Sequence, residues 1–275
     1  MSSLDKPAFP LASVLNQRRW QVCTRPFPHF IARDLFTPEF YSRIDESFGE
    51  ILDRGLCEGR DAAHFSRNIS GYDAYSVSFT EHMPAPLHLF ISKEWHDMLA
   101  QVTGVRATCD VAGGFHHHRQ GSRSGEVHND LNPGWFADCA DVNRVNLCRD
   151  DVCDYSTGAG NGSDAQVHVS VRAVAVLFFL HNDRWQEGYG GETGLYSHRE
   201  QDVSSPTKAF PPLNNSLLMF ECRPNSYHSF IENRGNSRNS MIMWLHRPRS
   251  DVVQRWGEAA IVGWDQKATA DAHEP

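Results

Sequence analysis

The sequence predicts a mainly β fold, a sandwich or jelly roll, with supporting helices in its N-terminal part. Two observations carry that reading. After Gly104 the chain breaks into short apolar runs divided by Gly, Asn and Pro, the pattern of strands and turns. Before it, apolar residues recur at three- and four-residue spacing in two segments, the pattern of amphipathic helices. No internal repeat or break in composition marks a boundary, so a single domain is expected over 1–275. It would comprise a helical part to about residue 105, a β core from about 106 to 248, and an insert at 132–166.

The first helix is expected from Thr37 to Gly55. Thr37 can cap it, Pro38 suits the first helical position, and Glu39 complements the positive end of the helix dipole. Phe40, Ile44, Phe48 and Ile51 then form one apolar stripe, which makes this helix a packing element rather than a chemical one. A shorter helix follows from Glu94 to Val102. The clearest strands are Val169 to Leu180, Ser216 to Glu221, Tyr227 to Glu232 and Asn239 to His246. Between Asn132 and Gln166 runs a long polar segment with Gly158, Gly160 and Gly162 in close succession. A loop of that length inside a compact domain reads as a lid or mobile insert.

Composition narrows the function classes. A net charge of −8 disfavours nucleic acid as the main ligand, because a phosphate backbone requires a basic face. No apolar run is long enough to span a bilayer, and Met1 to Leu15 lacks the pattern of a signal peptide, so a cytoplasmic protein without membrane partners is expected. The seven scattered cysteines fit reduced thiols. Cys139, Cys148 and Cys153 cluster in the insert but lack a CxxC pair, which favours loop thiols over structural zinc.

Three spaced elements carry the chemistry: His128-Asn129-Asp130, His228, and Arg238-Asn239-Ser240. Two imidazoles and a carboxylate can hold Fe(II) on one face and leave the opposite positions open for a co-substrate and dioxygen. A guanidinium nearby suits a dicarboxylate, whose carboxylate its planar fork matches. In an extended chain His128 and Asp130 would point to the same side. A three-residue turn at Asn233-Arg234-Gly235, with Gly235 left-handed, would pair Glu232 with Asn236, Phe230 with Arg238, and His228 with Ser240, placing His228, Arg238 and Ser240 on one face. The chain contains a second such triplet, His181-Asn182-Asp183. It leaves a continuous apolar strand and runs into a Gly-rich connection, so it is set aside as an exposed strand-to-strand link.

With those elements in place, the sequence resembles the 2-oxoglutarate/Fe(II) oxygenase superfamily, in particular its prolyl-4-hydroxylase-like branch. The likeness runs from about Gly114 to His246. It is carried by His128-x-Asp130, Phe178-Phe179-Leu180-His181-Asn182-Asp183, Gly190-Gly191-Glu192-Thr193, Asn215 to Phe220, Tyr227-His228-Ser229 and Arg238-x-Ser240. The resemblance implies a double-stranded β-helix and Fe(II) bound by His128, Asp130 and His228. It further implies that Arg238 binds the distal carboxylate of 2-oxoglutarate with help from Ser240. The implied reaction uses O2, releases succinate and CO2, and oxidises a C–H bond. Asp130 favours hydroxylation or another oxidation, since related halogenases have a small residue there. Two features depart from the branch: prolyl hydroxylases usually carry lysine at the position of Arg238, and the 132–166 insert lengthens the spacing from Asp130 to His228.

Several other residues have two readings. His116-His117-His118-Arg119 is either a solvated strand or a source of pocket-facing groups. Arg172 is a candidate to contact a substrate carboxylate or to cap the sheet. Tyr72 and Tyr75 are candidates to hydrogen-bond the oxo acid, with packing favoured for each, and Trp135 is a candidate lid residue. Glu192 reads as structural. An acidic chain without an obvious peptide-binding groove favours a small-molecule, biosynthetic substrate, with a protein prolyl or other side-chain hydroxylase as the runner-up. A non-catalytic β-sandwich binding module and a cupin-like metalloenzyme are the competing classes, and Arg238-x-Ser240 tells against both. Oligomeric state is not readable from the sequence.

Overall fold

The computed structural model describes residues 10–59, 61, 63–67, 73–139, 141, 143–162 and 164–264. Its helices are α1 (Leu11–Val14), α2 (Pro38–Leu52), α3 (Lys93–Thr103) and α4 (Arg249–Trp256). Strands β1 (Gln21–Cys23), β2 (His29–Ala32), β3 (Leu56–Glu58), β4 (Phe65–Arg67) and β5 (Tyr75–Ser78) come first. They are followed by β6 (Asp110–Arg119), β7 (Pro133–Ala137), β8 (Asn146–Leu147), β9 (Val167–Phe179) and β10 (Thr193–Leu195). The last are β11 (Lys208–Phe210), β12 (Ser216–Glu221), β13 (His228–Phe230) and β14 (Ser237–Pro248).

Local sequence rules account for the two main helices. The Thr37 hydroxyl accepts from the Phe40 amide with Pro38 at the first position, and Ser92 does the same for Trp95 at the start of α3. Such a cap stabilises a helix by about 1 kcal/mol. Gly104 ends α3 in the left-handed conformation that a side chain would resist. Phe40, Ile44, Phe48 and Ile51 are all buried on one side of α2.

Helices α1, α2 and α3 cover one face of an 11-stranded sheet with central order β2-β12-β9-β14-β6-β5, while a 3-stranded sheet, β11-β10-β13, lies opposite its other face, where Val252 of α4 also packs. This is the jelly-roll arrangement, mostly antiparallel. Period-two alternation sorts the side chains. Val176 and Phe178 of β9, with Met241 and Met243 of β14, join the helical core, whereas Ala175, Leu177 and Phe179 face the smaller sheet with Leu218 and Phe220.

Two expectations are corrected here. The N-terminal part is not simply helical: β1 to β5 extend both edges of the large sheet, and at three or four residues each they are too short to show a clear alternation. The 132–166 segment is not a structureless loop. β7 pairs with the first half of β9, alongside which β12 pairs only as far as Val174, and β8 adds to β6. The candidate lid residue Trp135 packs against Gly158 of its own segment, where any Cβ would lie 2.3 Å from the indole. None of the seven cysteines is joined in a disulfide.

Candidate metal centre

His128 and His228 face each other directly. They form an antiparallel bridge in which each amide donates to the other's carbonyl, at 3.0 and 2.8 Å, and their rings lie 4.4 Å apart. The Gly125 amide donates to Phe230, so this segment borders β13 on the side away from β10. Each imidazole donates from Nδ1 to a backbone carbonyl two residues earlier, Glu126 at 2.8 Å and Ser226 at 3.0 Å. A carbonyl can only accept, so Nδ1 carries the proton and the Nε2 lone pair of each ring points to the centre.

Asp130 completes the group, but not by the extended-chain argument. It lies outside any strand, with φ of 60°, a left-handed conformation in which Asp is tolerated better than most residues. Its oxygens come within 3.5 Å of His128 Nε2 and 3.2 Å of His228 Nε2. Nitrogen and oxygen ligand atoms of the three residues all lie within 4.8 Å of one another. This is the only such cluster among the described residues, and the thiols of Cys139, Cys148 and Cys153 form none. Two imidazole nitrogens and a carboxylate suit Fe(II).

The carboxylate is 2% exposed. Arg172 Nη1 donates to one oxygen at 2.6 Å, and Trp244 Nε1 donates to the other at 2.8 Å. Burial alone would raise the pKa of Asp130, but the Arg172 guanidinium holds it well below the usual carboxylate range. Arg172 therefore neither reaches out to a ligand nor caps the sheet. Its guanidinium lies over Trp244 at 3.6 Å and Trp264 at 4.9 Å, and its Nε donates to Tyr155 at 3.2 Å. The Tyr155 hydroxyl in turn donates to His246 Nε2, because His246 Nδ1 is committed to the Asp110 carbonyl.

Arg238 and Ser240 lie on the same inner face of β14. The expected hairpin does not form: Ser240 pairs with His116 and Phe179, while His228 pairs with Leu195. β13 and β14 belong to opposite sheets, and the link between them is held by other loops. Asn233 bonds Ser122 and Gly121, and Arg234 donates to Tyr189. Left-handed glycines are found at Gly190 and Gly191 rather than at Gly235. At Gly190 a Cβ would lie 1.8 Å from the Glu232 carbonyl oxygen.

Arg238 is 1% exposed; Nη1 donates to Ser240 at 2.8 Å and Nη2 to Thr193 at 3.2 Å. Phe179 and Phe230 flank the guanidinium at 5.0 and 5.3 Å. His116 and His118 share this face and are buried, which excludes the solvated reading of the histidine run. Burial, with Arg238 acting in the same direction, pushes His116 down to about 3 and His118 well below its usual value, so both are neutral near pH 7. Tyr75 packs, as favoured, donating to Glu58, and Tyr72 lies outside the described residues. Sequence reasoning missed Thr193, Trp244 and Tyr155 as site groups. Alternation along β14 would have found Trp244, which is in phase with Arg238 and Ser240.

A family model for the 2OG-Fe(II) oxygenase superfamily matches residues 152–246, which include His228, Arg238 and Ser240 but not His128 or Asp130. The fold is similar to that of a prolyl-4-hydroxylase from Pseudomonas putida, at 12% identity over 86% of this chain and 98% of that one, with a TM-score of 0.51. A prolyl hydroxylase from Trichoplax adhaerens, in complex with a hypoxia inducible factor peptide fragment, matches at 15% identity over 86% and 88% of the two chains, with a TM-score of 0.49. A 2OG-Fe(II) oxygenase family oxidoreductase from Burkholderia pseudomallei matches at 15% identity over 79% and 84%, with a TM-score of 0.42. No curated protein sequence matches the chain. No helix among the described residues is long and apolar enough to cross a membrane. Residues 152–246 thus match the 2OG-Fe(II) oxygenase superfamily, and the chain has a fold similar to that of a prolyl-4-hydroxylase.

Proposed function

We propose that His128, Asp130 and His228 hold the Fe(II), that Arg238 with Ser240 anchors 2-oxoglutarate, and that the enzyme oxidises an unactivated C–H bond of a small, biosynthetic metabolite. A single oxygenase domain would carry the reaction. The observation that carries this reading is the convergence of both Nε2 atoms and the Asp130 carboxylate within 4.8 Å. When bound, Fe(II) with 2-oxoglutarate and O2 supplies the oxidation, with succinate and CO2 released.

The chain's own residues do the positioning. The carbonyls of Glu126 and Ser226 fix the tautomer and tilt of the two imidazoles. Arg238 offers a desolvated cation to the distal carboxylate, oriented by the Ser240 and Thr193 hydroxyls, while Phe179 and Phe230 exclude water. Neutral His116 and His118 add no charge beside the Arg238 guanidinium. The side chain of His128 is 32% exposed against 3% for Asp130, so substrate would approach past His128.

The fold likeness to a prolyl-4-hydroxylase favours a second reading, in which the substrate is a prolyl or other side chain of a protein. Succinate release above the substrate-free rate, with small metabolites in one panel and proline-containing peptides in another, separates the two.

Anaerobic titration with Fe(II) and 2-oxoglutarate tests the site. The visible metal-to-ligand charge-transfer band is expected in the wild type, lost in His228→Ala and weakened in Arg238→Ala. Absence of the band in folded, metal-loaded wild type would overturn the site assignment.

A further inference from the structure

We propose that Arg172 is a positioning residue for the metal-ligand carboxylate, held in its own place by Tyr155 of the insert and Trp264 of the C-terminal segment. This inference rests on the assignment of Asp130 as a metal ligand. The 132–166 insert then serves the site as a brace rather than a lid.

The geometry requires such a device. Asp130 sits in a left-handed turn outside both sheets, so no strand ladder sets the direction of its side chain. A carboxylate attached there is free to rotate unless its oxygens are held. Arg172 takes one oxygen and Trp244 the other, which leaves the remaining lone pairs facing the two Nε2 atoms. The same arginine also bonds the segment through its backbone, since the Arg172 amide donates to the Asn132 carbonyl at 3.0 Å. β9 therefore grips both sides of Leu131.

Arg172 is itself immobilised. It is 6% exposed, and its guanidinium plane is covered by Trp244 and Trp264. Tyr155 ties its Nε through His246 to the backbone of β6 at Asp110. Trp264 is fixed in turn, with Nε1 donating to the Pro133 carbonyl at 2.8 Å, and Val262 and Asn132 bond the same stretch of chain. Segments far apart in sequence thus converge on one guanidinium. A lysine could supply the charge, but it has no planar face to stack, and its donors all sit on one terminal nitrogen, whereas arginine meets Tyr155 through Nε and Asp130 through Nη1.

The test is Mn(II) affinity, by titration of the apo protein, for the wild type and for Arg172→Lys, Tyr155→Phe and Trp264→Leu, with thermal unfolding of each apo protein alongside. Arg172→Lys keeps the charge and removes the fork. Its affinity is expected to fall about 10-fold or more, the effect that partners of metal ligands typically have. Tyr155→Phe and Trp264→Leu are expected to shift it the same way by less. The Fe(II)·2-oxoglutarate band should move in position in Arg172→Lys, which a purely structural arginine would not cause. Wild-type Mn(II) affinity and an unmoved band in folded Arg172→Lys would overturn the proposal while leaving the metal site intact. If Arg172→Lys does not fold, an unchanged affinity in Tyr155→Phe overturns it. Failure of the wild type to bind Mn(II) overturns both this inference and the site assignment beneath it.

Discussion

The chain spells His-Asn-Asp twice, and the two copies have opposite fates. In the first, His128 and Asp130 converge with His228; in the second, His181 and Asp183 diverge. The difference lies in which residue adopts the left-handed backbone: the aspartate in the first triplet (φ 60°) and the histidine in the second (φ 54°). Left-handed Asp130 turns its carboxylate back beneath the His128 ring. Left-handed His181 turns its ring away onto α2, where Nδ1 meets Asp45 at 2.9 Å and the ring rests on Phe48, while Asp183 remains outside and accepts from Asn236. Asn182 is stitched to Asn239 of β14 through both its side-chain amide and its side-chain oxygen. A tripeptide supplies ligand types; the backbone between them decides whether they meet.

The largest expected effect breaks the symmetry of the two copies directly. Asp130→Ala should abolish Fe(II) binding and substrate-stimulated succinate release, a loss exceeding the roughly 10- to 100-fold cost of removing a partner of a metal ligand. Asp183→Ala should leave both near wild type and change stability by no more than about 0.5 kcal/mol, as for an exposed side chain. Equal losses in the two variants would end the distinction.

A middle-sized effect should be purely structural. Gly190 follows the second triplet and must be left-handed beside the Glu232 carbonyl. Gly190→Ala is expected to cost about 1–3 kcal/mol of stability, read as a lower thermal midpoint, because the clashing atom belongs to the backbone and cannot swing aside. A variant as stable as wild type would show that this connection does not hold the two sheets together.

The smallest effect concerns a third histidine with carboxylates. His168 uses both ring nitrogens, bonding Asp110 at 2.9 Å and Asp138 at 2.6 Å, so neither nitrogen is directed at a metal. Burial lowers its pKa, but Asp110 and then Asp138 more than compensate, and the net shift is upward. The folded value therefore lies above the unfolded one. The stabilisation is complete below the unfolded value of about 6.5 and is lost as pH rises through the folded value. The stability difference between wild type and His168→Gln should shrink as pH is raised from 6 to 9 in parallel chemical-denaturation curves. A difference that grows with pH would contradict the ion pair.

What could be read in advance follows from the range of each interaction. The Thr37 cap and the buried stripe of α2 are local, and they appear where residue types place them. β12 begins and ends at its expected residues because Ser216 to Glu221 is an uninterrupted run between turn residues. The β13–β14 hairpin was not legible. Two extended runs joined by Asn-Arg-Gly look like a hairpin locally, but Thr193 to Leu195 and His116 to His118 compete for the same hydrogen bonds and win. The histidine run looked solvated for a similar reason: β5 and β14, which bury it, are distant in the chain. Arg172 was seen only as an arginine at the start of a strand, with no local sign of the four groups that surround it.

The sequence by itself determined the chemistry and the class of fold. Two histidines, one aspartate and an arginine–serine pair limit which metal and co-substrate can be held, and alternating apolar runs limit the architecture to stacked sheets. The tertiary structure alone decided which triplet closes on His228, which strand each of these side chains pairs with, and which arginine faces a carboxylate from the protein. Those choices depend on contacts between segments dozens of residues apart. Their outcome is set by which burial and hydrogen-bond pairings can be satisfied simultaneously, and no local pattern encodes that.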